Sequence, residues 1–187
     1  MTADSGDDSM LVVWDSLSAT PVRTFLNPHP NGVKTMDLSA DNQYIATLGA
    51  DTPQTVSLWD WTDEKQDGPI CSLEFQYTDV FQNQHWIKFN PDNPYELCCN
   101  GIERVLFLNW SPGLTKFNYY SPPRDKKDFA TPDRERCHYT KTVFLPGTQI
   151  AVTGTTGGDL LVWDRTLIIM GIGEQDEKRL VKIVTLN

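Results

Sequence analysis

Histidine is the side chain best suited to act as a general base near neutral pH, and this chain has three: His29, His85 and His138. They fall in separate segments, and no serine or cysteine nucleophile stands beside any of them in a recognised catalytic motif. Triads can assemble from distant residues, so a hydrolytic activity remains an alternative. The pattern favours a protein that is not an enzyme.

The four cysteines do not form a recognisable metal or disulfide pattern. Cys98 and Cys99 are adjacent in a predicted strand, so their side chains point to opposite faces of a sheet. Cys71 stands alone, and Cys137 with His138 lacks the paired spacing of a zinc site. We predict four reduced thiols, no metal and no cofactor.

Two further segments imitate known binding motifs. Asp4, Asp7 and Asp8 form an acidic cluster, but their spacing is not that of a calcium loop, and a solvated turn is favoured. The glycine-rich run 153–159 lacks the lysine and the following helix of a phosphate-binding loop. This run is therefore interpreted as a turn between two strands.

Residues 122–136 differ from the rest of the chain, because they contain nine charged residues and three prolines. Such a segment does not pack as a strand, and we expect it to project as a loop. One interpretation is a solvated insertion. The other is that it docks onto an acidic partner, because long charged loops on rigid scaffolds often carry recognition. The residues proposed for that contact are Arg124, Lys126, Lys127, Arg134 and Arg136.

The elements that would position these residues are β-strands. A β-rich run ending in Trp and Asp occurs three times, at 11–15, 57–60 and 161–164. This repeat is typical of a WD-repeat β-propeller, in which each four-stranded blade buries its faces against neighbouring blades. The fold class predicted is therefore all-β, and function is expected in loops and rims.

Alignment of the repeats predicts three complete four-stranded blades and half of another. The blades fall at about 10–26, 33–75, 85–120 and 138–186, with the charged loop 122–136 between the last two. The first has Met10–Asp15 and Pro21–Leu26 as its third and fourth strands, and lacks the other two. Leu108 takes the usual tryptophan position in the third blade. A short insertion, 171–178, lengthens the last hairpin.

A propeller usually needs 4 to 8 blades to close its ring. The sequence therefore predicts that residues 1–187 are a fragment of one propeller, and that the remainder of the ring is a partner of this chain. In isolation the open first blade would expose an unpaired strand edge, so we expect self-association or unfolding.

In WD blades a Trp on the third strand can form a hydrogen bond to a Ser or Thr on the second strand. A His and an Asp support this bond, and the Asp lies in the turn between the two strands. Here that network is predicted to be incomplete. Asp8 has the right distance from Trp14, Gly157 replaces the Asp before Trp163, and Asp51 fits only if its turn bulges. One buried Trp contributes about 4 to 6 kcal/mol, against about 1 kcal/mol for a neutral hydrogen bond. Apolar burial should therefore dominate blade cohesion.

The charge balance excludes some partners. Sixteen Lys and Arg against 25 Asp and Glu give a net charge of -9, which repels phosphate backbones and anionic lipids. We therefore predict no nucleic acid and no membrane among the partners. No apolar run approaches the roughly 20 residues that span a bilayer, and the first eight residues lack the features of a secretory signal. The expected location is the cytoplasm or its cytoskeleton.

An ordered set of short motifs is more specific than the repeats. Its segments are Thr2–Ser9, Val13–Ser16, Pro21–Thr24, Tyr44–Thr47, Cys71–Glu74, Phe89–Pro91, Glu96–Leu97 and Leu160–Asp164. The set resembles the axonemal WD-repeat proteins and, within them, the cilia- and flagella-associated WD-repeat subunit of the calmodulin- and spoke-associated complex. Family members are much longer, and this chain contains no EF-hand loop.

The resemblance implies a location and a purpose. It implies a non-catalytic scaffold on the axoneme of the cilium or flagellum, at the base of a radial spoke. There it would contact spoke-base subunits, the spoke and the doublet microtubule, and support ciliary motility. The alternative from the same fold is a cytosolic adaptor for substrate recognition or signalling, which would grip a peptide on the central face of the ring.

Overall fold

The computed structural model of the chain describes residues 1–75, 83–122, 129, 131–165 and 180–186. In these segments nearly all regular structure is antiparallel β-sheet, as the alternation of apolar and polar residues predicts. One sheet has three strands and three sheets have four, and each sheet is built from strands consecutive in sequence. The all-β prediction is confirmed.

We name the sheets blades 1 to 4 in chain order. Blade 1 contains β1 (Thr2–Ala3), β2 (Met10–Trp14) and β3 (Pro21–Leu26). Blade 2 contains β4 (Val33–Leu38), β5 (Tyr44–Gly49), β6 (Thr55–Asp60) and β7 (Cys71–Glu74). Blade 3 contains β8 (Trp86–Asn90), β9 (Asn93–Asn100), β10 (Val105–Asn109) and β11 (Asn118–Tyr120). Blade 4 contains β12 (Tyr139–Phe144), β13 (Ile150–Thr155), β14 (Asp159–Asp164) and β15 (Leu180–Thr185).

Blade 1 differs from the predicted half blade. β1 pairs antiparallel with β2, with Thr2 opposite Val12 and Ala3 opposite Leu11. A short second strand is therefore present where the sequence predicted none, because two residues are too few to show a periodic pattern. Within the described segments no strand pairs with the other edge of β1.

β9 begins at Asn93, because an irregularity after Phe89 lets Asn90 pair with Asn93. The predicted insertion 171–178 lies outside the described residues.

Neighbouring blades pack with their first strands side by side, β4 against β8 and β8 against β12. Three apolar clusters lie between consecutive blades, so each blade buries its faces against its neighbours. β5 shows how: Ile45 belongs to the cluster shared with blade 1, whereas Ala46 and Leu48 belong to the cluster shared with blade 3. The strand is buried on both faces, and its sequence is accordingly apolar except for Thr47.

The described helix, α1 (Pro132–Glu135), is a single turn inside the charged segment. None of the helical structure in the described residues is long and apolar enough to cross a membrane.

Candidate interaction surface

His29 lies in a buried chain of polar side chains in blade 2. The Trp59 indole Nε1–H donates to the Thr47 hydroxyl at 2.8 Å, and His29 Nε2 lies 2.8 Å from the same oxygen. On the other side of the imidazole, Asp51 Oδ2 is 3.6 Å from Nδ1. The four residues connect β5 and β6 with the loops before β4 and after β5.

This environment keeps the imidazole neutral. Burial lowers the pKa of His29, and the Asp51 carboxylate opposes that shift by a smaller amount. Thr47, whose hydroxyl contacts the imidazole, is fully buried, so a substrate has no route to the pair. The arrangement stabilises the blade and does not perform general-base catalysis.

Asp51 lies in the turn between β5 and β6 and comes close to His29 from there. Gly49 makes this possible: a Cβ there would lie 2.6 Å from both Asp51 Oδ2 and His29 Nδ1. The backbone N–H of Asn31 donates to Asp51 Oδ1 at 2.6 Å and fixes the carboxylate. In blade 2 the hydrogen bonds therefore run from Trp59 through Thr47 to His29, and Asp51 Oδ2 lies beside the imidazole without a hydrogen bond to it.

In blade 3 the equivalent positions are apolar. Leu108 lies opposite Leu97 as Trp59 lies opposite Ile45, which confirms that Leu108 takes the tryptophan position. The position of Thr47 is taken by Cys99, which is fully buried.

Blades 4 and 1 have part of this polar network, because in each the tryptophan donates to a threonine. In blade 4 the Trp163 indole donates to the Thr153 hydroxyl at 2.8 Å, and the Thr142 hydroxyl lies 2.7 Å from Thr153. In blade 1 the Trp14 indole donates to Thr2 at 2.8 Å, although Trp14 is 42% exposed. Asp8, which the sequence aligned with the turn Asp, is exposed.

The other two histidines, His85 and His138, also form contacts with backbone or side-chain groups of blade 4. His85 Nε2 is 2.8 Å from the Thr140 carbonyl oxygen, so it joins blade 3 to blade 4. His138 is exposed, and its backbone N–H donates to the Thr156 hydroxyl at 3.0 Å.

All four cysteines are free thiols. Burial raises the pKa of Cys71 to about 11, and it raises the pKa values of Cys98 and Cys99 further, so these thiols are unreactive. In the part of the chain that the structure describes, no group of three or more His, Cys, Asp or Glu side chains could hold a metal ion.

The charged segment 122–136 is described mainly at its C-terminal end. Arg124, Lys126 and Lys127 lie outside the described residues. Arg134 lies in α1, and Arg136, which follows it, is exposed. The segment is thus not entirely irregular, because its end forms one helical turn.

Arg134 is held against blade 4. Its Nη1 donates to Asp159 Oδ1 at 2.6 Å and to Thr185 Oγ1 at 2.5 Å, and the Thr185 hydroxyl donates to the same carboxylate at 2.9 Å. Asp159 is 1% exposed, and Phe129 packs against the apolar cluster between blades 3 and 4. The end of the segment is therefore anchored, and of the two described cations Arg136 has the greater exposure.

A buried ion pair joins blades 3 and 4. Arg165 Nη1 donates to Glu96 Oε2 at 2.5 Å, and the two side chains are 3% and 7% exposed. Asn90 Nδ2 donates to the same carboxylate oxygen at 2.6 Å, and the guanidinium lies 4.6 Å from the centre of the Phe144 ring. Sequence reasoning missed this pair. The available signal was a carboxylate, Glu96, in a predicted apolar strand.

An apolar groove lies between blades 1 and 2 and has a volume of about 500 Å³. Two tryptophans from different blades, Trp14 and Trp61, line it together with Val13, Val22, Leu38 and Ile45. Trp14 and Val22 are 42% and 53% exposed. Trp14 and Val22 therefore present exposed apolar surface of blade 1 beside the groove.

Four antiparallel sheets, with adjacent first strands in blades 2 to 4 and apolar clusters between consecutive blades, define a WD-type β-propeller. A solved fungal structure, the Myceliophteria thermophila Cps50 (Swd1) β-propeller domain, superposes with a TM-score of 0.71 at 15% identity. The match covers 99% of this chain and 52% of that one, and it confirms the predicted fold.

The chain belongs to the family described as the CFAP251 N-terminal domain, which matches residues 1–187. It is 39% identical to cilia- and flagella-associated protein 251 of Chlamydomonas reinhardtii and 39% identical to that of Tetrahymena thermophila. Both matches cover the whole chain, and they cover 24% and 18% of the two relatives. The chain thus spans about a quarter or less of the curated relatives it matches.

Proposed function

We propose that this chain is a non-catalytic scaffold of the ciliary or flagellar axoneme, which holds protein partners at the base of a radial spoke and supports ciliary motility. Its membership of a cilia- and flagella-associated family supports the location. The resemblance to a subunit of the calmodulin- and spoke-associated complex supports the placement at the spoke base.

The groove between blades 1 and 2 is the observation that supports a contact of this chain with further polypeptide of its own propeller. It presents Trp14 and Trp61 on two rigid sheets, and the described polar clusters serve structure and not chemistry. β2 extends to Trp14, while β1 pairs with it only at Val12 and Leu11, so part of the β2 edge is available to another strand. We assign this edge and the groove to the remainder of the chain's own propeller.

The similarity to the fungal propeller supports that assignment, because this chain matches about half of it. A second surface, the segment 122–136, is proposed to contact an acidic axonemal partner. Arg136, with Arg124, Lys126 and Lys127, supplies the charge for that contact, while Arg134 anchors the segment on Asp159.

Detergent extraction of ciliated cells tests the location. An axonemal scaffold stays with the insoluble doublets, whereas a cytosolic adaptor is released with the soluble fraction. Recovery of the protein in the soluble fraction would contradict the proposal.

Substitution of cations tests the second surface. Replacing Arg124, Lys126, Lys127 and Arg136 by Ser should release the protein from the axoneme at lower salt, because the charged contact is lost. A matched control replaces four exposed lysines elsewhere, Lys34, Lys65, Lys116 and Lys182, by Ser. Equal release of both variants would show that net charge matters and that the segment does not.

A further inference from the structure

The sequence Ser/Thr-Pro-x-Arg occurs three times, at 20–23, 121–124 and 131–134. Proline-directed protein kinases of the cyclin-dependent class phosphorylate Ser or Thr followed by Pro, and they favour a basic residue three positions after the acceptor, an example of recognition by charge pattern. By sequence the three motifs are equivalent. The structure distinguishes them.

The first motif is part of a sheet. Pro21 begins β3, and the Arg23 guanidinium donates to the Gln66 carbonyl at 2.8 Å and to Asp67 at 3.1 Å. A kinase binds its acceptor segment as a separate extended chain, so β3 would have to leave blade 1 before Thr20 could react.

In the second motif the hydroxyl that would receive the phosphate, that of Ser121, already forms a hydrogen bond. The Ser121 hydroxyl donates to the Val105 carbonyl at 2.9 Å, and Pro122 is buried. Phosphorylation there would require this end of the segment to separate from β10.

The third motif is accessible. Thr131 is exposed and has an extended backbone, with φ -142° and ψ 154°, and Pro132 and Asp133 after it are also exposed. The Arg134 side chain is 35% exposed, and the structure that holds it is one helical turn. We propose that Thr131 is a phosphoacceptor for a proline-directed kinase, and that its phosphate competes with Asp159 for Arg134.

The reaction is an ordinary phosphoryl transfer from ATP. The Thr131 oxygen forms a bond to the γ-phosphorus, and the bond from that phosphorus to the β–γ bridging oxygen breaks. ADP leaves, and the hydroxyl proton passes to the catalytic carboxylate of the kinase.

Competition for Arg134 follows from position and charge. The Arg134 backbone N–H already donates to Thr131 Oγ1 at 3.4 Å, so a phosphate on that oxygen lies within reach of the guanidinium. The phosphate carries a charge of about -1.5 to -2, whereas Asp159 offers one negative charge and shares its Oδ1 with Thr185. Transfer of Arg134 to the phosphate would free the end of the charged segment from blade 4.

The first test measures site occupancy. The epitope-tagged protein, isolated with its partners from ciliated cells, is incubated with a cyclin-dependent kinase and ATP, and phosphopeptides are quantified by mass spectrometry. We expect Thr131 to be labelled at least about tenfold faster than Thr20 or Ser121. Thr131 requires only the single turn α1 and its Arg134 contacts to open, whereas the other two require a segment to separate from a sheet. After heat denaturation the three sites should be labelled at similar rates.

Labelling of Thr20 or Ser121 as fast as Thr131 in the native protein would overturn the proposal, as would labelling of Thr131 only after denaturation. Thr131→Ser keeps an acceptor and should be labelled at the same position. Pro132→Ala keeps Thr131 and should lose the labelling, which shows that the kinase recognises the motif.

The second test measures the contact with blade 4. Hydrogen exchange of the backbone amides of residues 180–186 should become several-fold faster when Thr131 is phosphorylated, because Thr185 in β15 loses its bond to Arg134. Thr131→Ala treated with the same kinase is the matched control and should not change. Unchanged exchange in the phosphorylated protein would refute the competition for Arg134.

Discussion

Blades 2 and 3 fill the same positions of their second and third strands with different chemistry. Blade 2 places Trp59 and Thr47 there and connects them to His29 and Asp51. Blade 3 places Leu108 and Cys99 there, a purely apolar pair. Yet the strand register is equivalent, and both positions on the third strand are 3% exposed or less.

The difference separates two contributions to blade stability. Because blade 3 has the same register without the hydrogen bonds, the sheet itself depends on the backbone ladder and on apolar burial. The polar chain of blade 2 adds something else: His29 ties the loop before β4 to β5, and Asp51 ties the loop after β5 to the loop before β4. Each of the following substitutions tests this separation.

Trp59→Ala should have the largest effect. Trp59 is 3% exposed and its ring centre lies 5.0 Å from that of Phe25 in blade 1, so truncation removes packing at the interface of the two blades. We expect a loss of about 3–5 kcal/mol in the free energy of unfolding, measured by denaturant titration. Trp14→Ala, at the same position of blade 1 but 42% exposed, is the control and should cost about 1–2 kcal/mol. Equal losses would show that burial does not determine the effect.

Gly49→Ala should be the next most damaging change. The new Cβ would lie 2.6 Å from His29 Nδ1 and from Asp51 Oδ2, so both loops must shift. The expected cost is about 1–3 kcal/mol, with faster hydrogen exchange in residues 29–33. Gly68→Ala meets no atom within 4 Å and should be neutral within about 0.5 kcal/mol. A neutral effect of Gly49→Ala would contradict the role assigned to Gly49, which is to leave space for His29 and Asp51.

Thr47→Val preserves shape and removes the central hydroxyl. The buried Trp59 indole N–H then loses its acceptor and His29 Nε2 loses its partner, at a cost of about 1–3 kcal/mol. The matched change in blade 3, Cys99→Val, lies within an apolar cluster and should cost less than about 1.5 kcal/mol. Thermal unfolding of the two variants compares them directly. If Cys99→Val were the more harmful, the polar chain would be dispensable.

The smallest expected effect is a dependence of stability on pH. Burial lowers the pKa of His29 in the folded chain, so the unfolded chain binds the proton more readily. The stabilisation is therefore complete above about pH 6.5 and is lost as the pH falls below it, with a slope of at most about 1.4 kcal/mol per pH unit. Unfolding titrations at pH 7.5 and 5.5 should show this slope and its reduction in His29→Asn. An unchanged slope in that variant would assign the dependence to other groups.

The strands of these blades were predictable because their signal is local. Alternating residues and the Trp-Asp repeat placed β6 and β14, and the register of neighbouring residues placed Leu108 at a tryptophan position. The strand β1 was not predictable, since two residues contain a single period of the side-chain alternation and show no repeat.

The polar contacts were less predictable because they depend on loop geometry. Counting residues could not show whether the turn after β5 brings Asp51 to His29, and the space left by Gly49 decides it. The anchoring of Arg134 on Asp159 also escaped the sequence, because the two residues lie in a charged segment and in a separate strand. Composition identified the segment as a candidate surface but not which of its cations are already paired.

The buried pair of Glu96 and Arg165 limits how this family can diverge. Substitution of one member alone leaves a single charge enclosed between two blades, which typically costs about 3–5 kcal/mol, whereas joint replacement by apolar residues is often tolerated. A substitution of Glu96 or of Arg165 is therefore expected to persist only when the other residue of the pair changes as well. Among orthologues the two positions should covary, although 69 residues separate them along the chain.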